Sequence, residues 1–296
     1  MSDQTRRDVL KIAGLTAASG LLPMGAGGAA EGGQMTQPAI AKPTKNRIKQ
    51  SVCRWCYDKI PIRDFFKSVA DSGLTAVDLL QPAEWPVAKE FGLMCSMGYA
   101  NAGSIPNGLN NPVHHDTIVN GLTTTFPLAK AAGVPNLICF FGNRGNIPEA
   151  EGIKSSIACL NRVKAAAEEH GVTVCVELLN SKVNHKDYAG DKTPYGVEIV
   201  GAVNSPRIKL LYDIYHMQIM EGDVIRTIQT YKDHIAHYHT GGVPGRNELD
   251  PKQELNWPAI TEAIIATGFT GYMAHEFIPK RDPITSLREA ISLCDV

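Results

Sequence analysis

The sequence predicts an α/β protein of the (β/α)8, or TIM, barrel type. Eight apolar strand-like runs alternate with helical patterns across residues 47–296. Glycine closes helix after helix, and no phosphate-binding glycine loop of the GxGxxG or GxxxxGK[ST] kind follows any strand. Eight alternations over about 250 residues is the count such a barrel requires. An open doubly wound sheet would need fewer strands and usually a glycine-rich first turn.

The predicted strands are 49–53, 76–80, 93–97, 136–141, 173–178, 208–214, 234–239 and 271–277. Helical patterns fill 61–72, 115–132 and 149–170, each followed by Gly73, Gly133 or Gly171 at the point where a left-handed residue ends a helix. A further helix over 193–204 runs into Ser205-Pro206. Another starts at Trp257-Pro258, with proline in the first turn, and stops at Gly268. No composition change divides 47–296, which reads as one domain.

The chain has 296 residues, 44% hydrophobic and 20% charged, with a formal net charge of −1. This is ordinary globular composition, with no electrostatic footprint for nucleic acid or an anionic membrane. No apolar run is long enough for a spanning helix, so no stable membrane anchor is expected. The first 30 residues differ from the rest. Thr5-Arg6-Arg7-Asp8-Val9-Leu10-Lys11 precedes an apolar stretch from Ile12 to Leu22, and Gly28-Ala29-Ala30 offers a cleavage site. The order resembles a twin-arginine export signal, which places the mature protein in the periplasm or outside the cell. Residues 31–46 read as a linker.

Seven cysteines cannot form a complete disulfide framework. Cys53, Cys95, Cys139 and Cys175 fall in strands and read as small apolar packing residues. Cys53 and Cys56 have CxxC spacing, but a redox pair needs a helix N-terminus and this segment reads as strand.

The candidate chemistry sits in the second half. Glu177, Asp213, His239 and Glu276 each end an apolar run, spaced 36, 26 and 37 residues apart. A strand with its return helix takes about 30 residues, so strands five to eight would each bring one donor to the C-terminal rim, where barrel active sites lie. Three oxygen donors and one nitrogen suit a divalent cation, Mn²⁺, Mg²⁺ or Co²⁺, with Zn²⁺ also compatible. A cation would neutralise carboxylates that could not otherwise converge. Glu177 and Glu276 would then serve as the proton-transfer pair, acting through an enediolate whose negative oxygens the cation supports. Trp85, with Trp55 and Tyr57, offers an aromatic face for a sugar or for packing. Lys182, His185 and Lys186 belong to the fifth βα loop.

The run Tyr212-Asp213-Ile214-Tyr215-His216-Met217-Gln218-Ile219-Met220-Glu221-Gly222-Asp223 resembles the signature of the hydroxypyruvate isomerase family. That family lies within the xylose isomerase-like TIM barrels, together with enzymes of the D-tagatose 3-epimerase type. Val243 to Glu248 and Glu177-Leu178-Leu179-Asn180 match it as well. The resemblance implies that Glu177, Asp213, His239 and Glu276 bind one metal, and that Glu177 and Glu276 are acid and base. It also implies that His216 and Arg246 hold substrate. Asn180, His185 and Trp85 complete the expected substrate-binding set. His239 stands where hydroxypyruvate isomerases have Gln and sugar epimerases have His, and Leu178 replaces the usual Pro.

The expected function is a metal-dependent isomerase or epimerase of a sugar or keto acid. Alternatives are a lyase or dehydratase using the same enolate chemistry, and a non-catalytic sugar-binding barrel. A three-zinc endonuclease would need further His and Glu ligands on strands two to four, where the sequence shows only Asp78, Gln81, Tyr99 and Asn143. The expected partner is a small-molecule sugar or keto-sugar, with no nucleic acid. A homo-oligomer is left open.

Overall fold

A computed structural model describes residues 43–296. The expected export signal, and the linker up to residue 42, lie outside the described residues. The eight strands are β1 (Lys49–Val52), β2 (Ala76–Leu80), β3 (Met94–Gly98), β4 (Asn136–Phe140), β5 (Thr173–Leu178), β6 (Ile208–Asp213), β7 (Ile235–Thr240) and β8 (Tyr272–His275). All run parallel, in the order β1-β8-β7-β6-β5-β4-β3-β2. A single parallel bridge, Cys53 to Asp78, closes β2 onto the end of β1. The result is a TIM barrel, as expected.

Helices cover the outside: α1 (Ile62–Asp71), α2 (Trp85–Glu90), α3 (His115–Ala132), α4 (Glu149–His170), α5 (Thr193–Val203), α6 (Ile214–Met220), α7 (Val224–Tyr231), α8 (Trp257–Ala266) and α9 (Pro283–Leu293). α3 and α4 end at Gly133 and Gly171 in the left-handed region, where a side chain is costly. The sequence reading did not reach α2, α6, α7 or α9. Three of these are too short to show a helical period. The fourth, α9, is announced only by its cap, in which Asp282 accepts the Thr285 N–H at 2.8 Å.

Two cores result from the period-two alternation of the strands. Outward residues such as Val77, Leu80, Val174, Val176, Leu210 and Tyr238 pack under the helices. Inward ones, Cys53, Leu79, Met97, Ile138, Cys175, Leu211 and Ala274, fill the barrel. β2 breaks the alternation. Its register against β3 shifts on both sides of Asp78, and Leu79 takes φ 56°. Asp78 and Leu79 therefore both face inward, between outward Val77 and Leu80. A leucine held there costs about 1–2 kcal/mol, the kind of local strain a bulge uses to re-aim a side chain.

Trp85 has a packing role. Its indole N–H donates to Leu80 O at 3.2 Å, and its ring lies against Gly98, where a Cβ would come within 2.7 Å of Trp85 Cζ2. Its expected place on substrate is replaced by this wedge between α2 and β3. The segment Arg54–Tyr57 forms a 3₁₀ turn with Cys53 at its N-cap, not strand as expected. Burial still pushes both the Cys53 and the Cys56 thiols well above their ordinary range.

Tyr188 links the ends of β4 and β5. Its hydroxyl accepts from Phe141 N–H at 2.8 Å and donates to Glu177 O at 2.9 Å, fully buried. Tyr188→Phe strands a buried donor and a buried acceptor, so it should lower the unfolding free energy by about 1–3 kcal/mol in denaturant titration.

Candidate active site

Asp213 ends β6, Glu177 and His239 each lie one residue before the end of β5 and β7, and Glu276 follows β8 directly. All four are buried, and one donor atom from each lies within 4.8 Å of the others. His239 Nδ1 is 2.7 Å from Glu276 Oε2 and 3.3 Å from Glu177 Oε1. Three expectations thus meet in one place: the strand ends, the rim and the mutual distances.

Arg246 supplies the cation among them. Its guanidinium lies 3.2 Å from Asp213 Oδ2 and hydrogen bonds Glu276 Oε2. Trp55 and Tyr215 flank it, with ring centroids 5.2 and 5.3 Å from Cζ. Such cation–π contacts are strong where water is excluded. Arg246 is held at φ 57°, in the loop that carries a cis Val243-Pro244 bond.

The electrostatics are set by burial and by this pairing. Burial pushes the Glu177 carboxyl up, only partly offset by its contact to His239. It also pushes Asp213 up to about 7 against the pull of Arg246. Burial acts upward on Glu276 too, but Arg246 and His239 together draw it well below the usual range. The two glutamates are thus pushed in opposite directions, Glu177 up and Glu276 down. Separated environments of this sort are how a site divides acid from base.

The remaining expected residues surround this centre. His216 starts the turn after Asp213, whose Oδ1 accepts the His216 N–H at 3.1 Å and caps α6. The imidazole is fully buried and burial pushes it well below its ordinary range, so it is neutral. Its Nδ1 accepts the Asn180 N–H at 3.1 Å, and its Nε2, 3.5 Å from Asp213 Oδ2, has no hydrogen bond. Asn180 is also fully buried. Its Oδ1 accepts from the Val183 and Asn184 N–H groups, so it shapes the β5–α5 loop and positions His216. His185 lines the cavity, 5.3 Å from the His216 ring. Glu221, late in the signature run, caps α5 by accepting from Thr193 N–H and its hydroxyl. That part of the run is therefore structural.

A cavity of about 260 Å³ opens over the carboxylates, walled by Trp55, Leu79, Tyr99, Ile105, Phe140 and Leu179. Trp55 is more than a wall, since its indole N–H donates to Glu276 Oε1 at 2.7 Å. Among the described residues, the polar group to which sequence reasoning gave no role is Asp78, which lies inside the barrel with Cys53 and His237. Asp78 was grouped with strand ends lacking a cluster, yet its carboxylate meets both β7 histidines inside the barrel. Its signal was the one that exposed Glu177, a lone carboxylate in an apolar run.

The donor set fits a divalent cation. Glu177 Oε1 and His239 Nδ1, 3.3 Å apart in the four-donor group, face each other without hydrogen-bond geometry, and His216 Nε2 beside them is buried without a hydrogen bond. Native proteins leave few such atoms without a reason. Glu177, Asp213, His239 and Glu276 would hold the ion.

These features define a parallel (β/α)8 barrel with a carboxylate-rich centre at its C-terminal rim. The chain belongs to the xylose isomerase-like TIM barrel family, whose model matches residues 57–295. It is similar to a 2-oxo-tetronate isomerase of Pectobacterium atrosepticum, 24% identical over 76% of this chain and 89% of that protein. It is also similar to a human protein named as a candidate hydroxypyruvate isomerase, 25% identical over 75% of this chain and 85% of that one. A 3-keto-D-glucoside 4-epimerase from E. coli superposes with a TM-score of 0.71 at 16% identity, covering 83% of this chain and 98% of its own.

Arg246→Gln should expose the repulsion that the guanidinium suppresses. Without it, the folded-state Glu276 carboxyl rises from its depressed position and that of Asp213 rises further above its unfolded value. Stability is then lost as pH increases through that range. In chelator-treated protein the penalty should reach about 3 kcal/mol at pH 8 and shrink as pH falls below the ordinary carboxylate range. A penalty independent of pH in denaturant melts would show that Arg246 does not neutralise these groups.

Proposed function

We propose that the chain is a divalent-metal-dependent isomerase or epimerase of a small sugar or keto-sugar. The observation that carries this reading is the convergence of Glu177, Asp213, His239 and Glu276 within 4.8 Å, beneath a cavity that Glu177 and Glu276 line. The names of the relatives support the reaction class, and that of the epimerase supports a keto-sugar.

A substrate carbonyl and its neighbouring hydroxyl would face the four donors. A cation bound there polarises the carbonyl and offsets the charge that grows on the two oxygens. Glu276, held charged and fixed through one oxygen by Trp55, removes the proton next to the carbonyl. Glu177 returns a proton to the enediolate. Return to the adjacent carbon, with the hydroxyl proton passing to the former carbonyl oxygen, gives isomerisation, and return to the opposite face of the same carbon gives epimerisation. His216 Nε2 and the free donors of Arg246 would hold hydroxyls. The Arg246 fork is already engaged by two carboxylates, which favours a neutral polyol over a keto acid. The apolar walls suit the C–H face of a sugar and keep water from the reacting carbon.

Turnover in D₂O should place solvent deuterium at the substrate α-carbon. Glu177→Gln and Glu276→Gln should each lower kcat by at least ~10²-fold, with metal content measured alongside. Full activity in a metal-replete Glu276→Gln protein excludes the pair. Absence of deuterium points to hydride transfer, and loss of water in the product to a lyase. Asp213→Ala should lose its metal in elemental analysis.

We further propose that the chain is exported by the twin-arginine route. Replacing Arg6 and Arg7 with Lys should hold the uncleaved chain in the cytoplasm. Normal export of that variant, followed by fractionation and N-terminal mass measurement, would refute the route.

A further inference from the structure

Below the rim, the barrel holds polar side chains that proton transfer does not use. Asp78 is fully buried, and its carboxylate meets only other buried side chains. Oδ2 lies 2.9 Å from His239 Nε2 and 3.7 Å from Cys53 Sγ. Oδ1 lies 3.2 Å from His237 Nε2 and accepts the Ser96 hydroxyl. A carboxylate here carries a large desolvation cost, and its removal would open apolar contact with the surrounding core. The backbone is also strained to place it, because the Leu79 bulge turns two consecutive side chains inward.

His239 explains the arrangement. An imidazole presents two different nitrogens, and a proton on one leaves the other bare only in a single tautomer. Nδ1 of His239 faces Glu276 and Glu177 at 2.7 and 3.3 Å, while Nε2 faces Asp78. We propose that Asp78 is a positioning residue: it accepts a hydrogen bond from His239 Nε2–H and holds the ring in the tautomer whose bare Nδ1 points into the rim centre. Ser96 and His237 keep the carboxylate in place from its other oxygen. This inference rests on the rim centre being a cation site, as proposed above. It adds a residue from β2, on which that reading does not draw. Hydrogen bonding behind a ligating histidine typically changes metal affinity 10–100-fold.

Asn is the informative replacement. Its amide can turn an N–H toward Nε2, which favours a proton on Nδ1, where the cation must sit. Zn²⁺ serves as the probe, because it is diamagnetic and has no redox chemistry. In ¹⁵N-histidine NMR of the Zn²⁺-loaded full chain, His239 should carry its proton on Nε2. The signal is assigned by its loss in His239→Gln. Zn²⁺ affinity, measured against a competing chelator, should fall 10–100-fold in Asp78→Asn and less in Ser96→Ala. Stoichiometry should remain one ion per chain.

Each other result overturns the inference in a distinguishable way. If wild-type protein takes up no Zn²⁺, the cation reading itself fails. If it takes up one ion and Asp78→Asn binds as tightly, Asp78 does not position His239. Two ions in wild type and one in Asp78→Asn would make Cys53, Asp78 and His239, whose donor atoms also lie within 4.8 Å of one another, a ligand set. Should Asp78→Asn fail to fold, the wild-type spectrum still decides. A bare Nε2, or a proton on Nδ1, in the loaded protein refutes the hydrogen bond.

Discussion

Three carboxylates share the rim of this barrel at distances where like charges repel. With donor atoms up to 4.8 Å apart and an effective dielectric constant near 20, each charged pair costs about 3 kcal/mol. Much of the C-terminal half of the chain answers that cost. Arg246 is bent into the left-handed region and sandwiched between Trp55 and Tyr215 so that its guanidinium reaches two of the acids. His239 brings a second positive or donor group from β7. Even so, Glu177 Oε1 and His239 Nδ1 face each other at 3.3 Å without hydrogen-bond geometry, and a divalent ion would satisfy both.

The same constraint explains why the site is built from so many elements. Each acid ends or follows its own strand, so the sheet fixes their spacing without any loop having to be rigid. The groups of the site are held from behind: His216 by Asn180, Glu276 by Trp55, and the Arg246 loop by the N–H of Ile278, which donates to Arg246 O at 2.6 Å. Rigid first contacts with hydrogen-bonded support are what proton transfer between neighbouring carbons requires.

Much of this was legible in the sequence, because strands and rim donors obey simple rules. Period two, glycine stops and a carboxylate at the end of an apolar run located β5 to β8 and all four donors. Asp78 escaped for a physical reason. It lies before the end of its strand, and only a bulge, with Leu79 in a conformation that leucine rarely adopts, turns it inward alongside its neighbour. No pattern of alternation can announce a break in alternation. Trp85 shows the opposite case. An aromatic after a strand suggested a ligand face, but the small residue that makes room for its ring, Gly98, is remote in sequence and gave no hint. The 3₁₀ turn at Arg54–Tyr57 is equally silent, being too short for any period.

The barrel is a hoop, and a hoop is weakest at its joint. Between β1 and β2 the joint is one bridge, Cys53 to Asp78. Those two side chains also reach inward to the ring of His239, two strands from β1 and three from β2 around the circumference. The joint is thus braced through the lumen and not along its edge. The two residues that close the hoop are thus the same two that hold the imidazole of His239 from below.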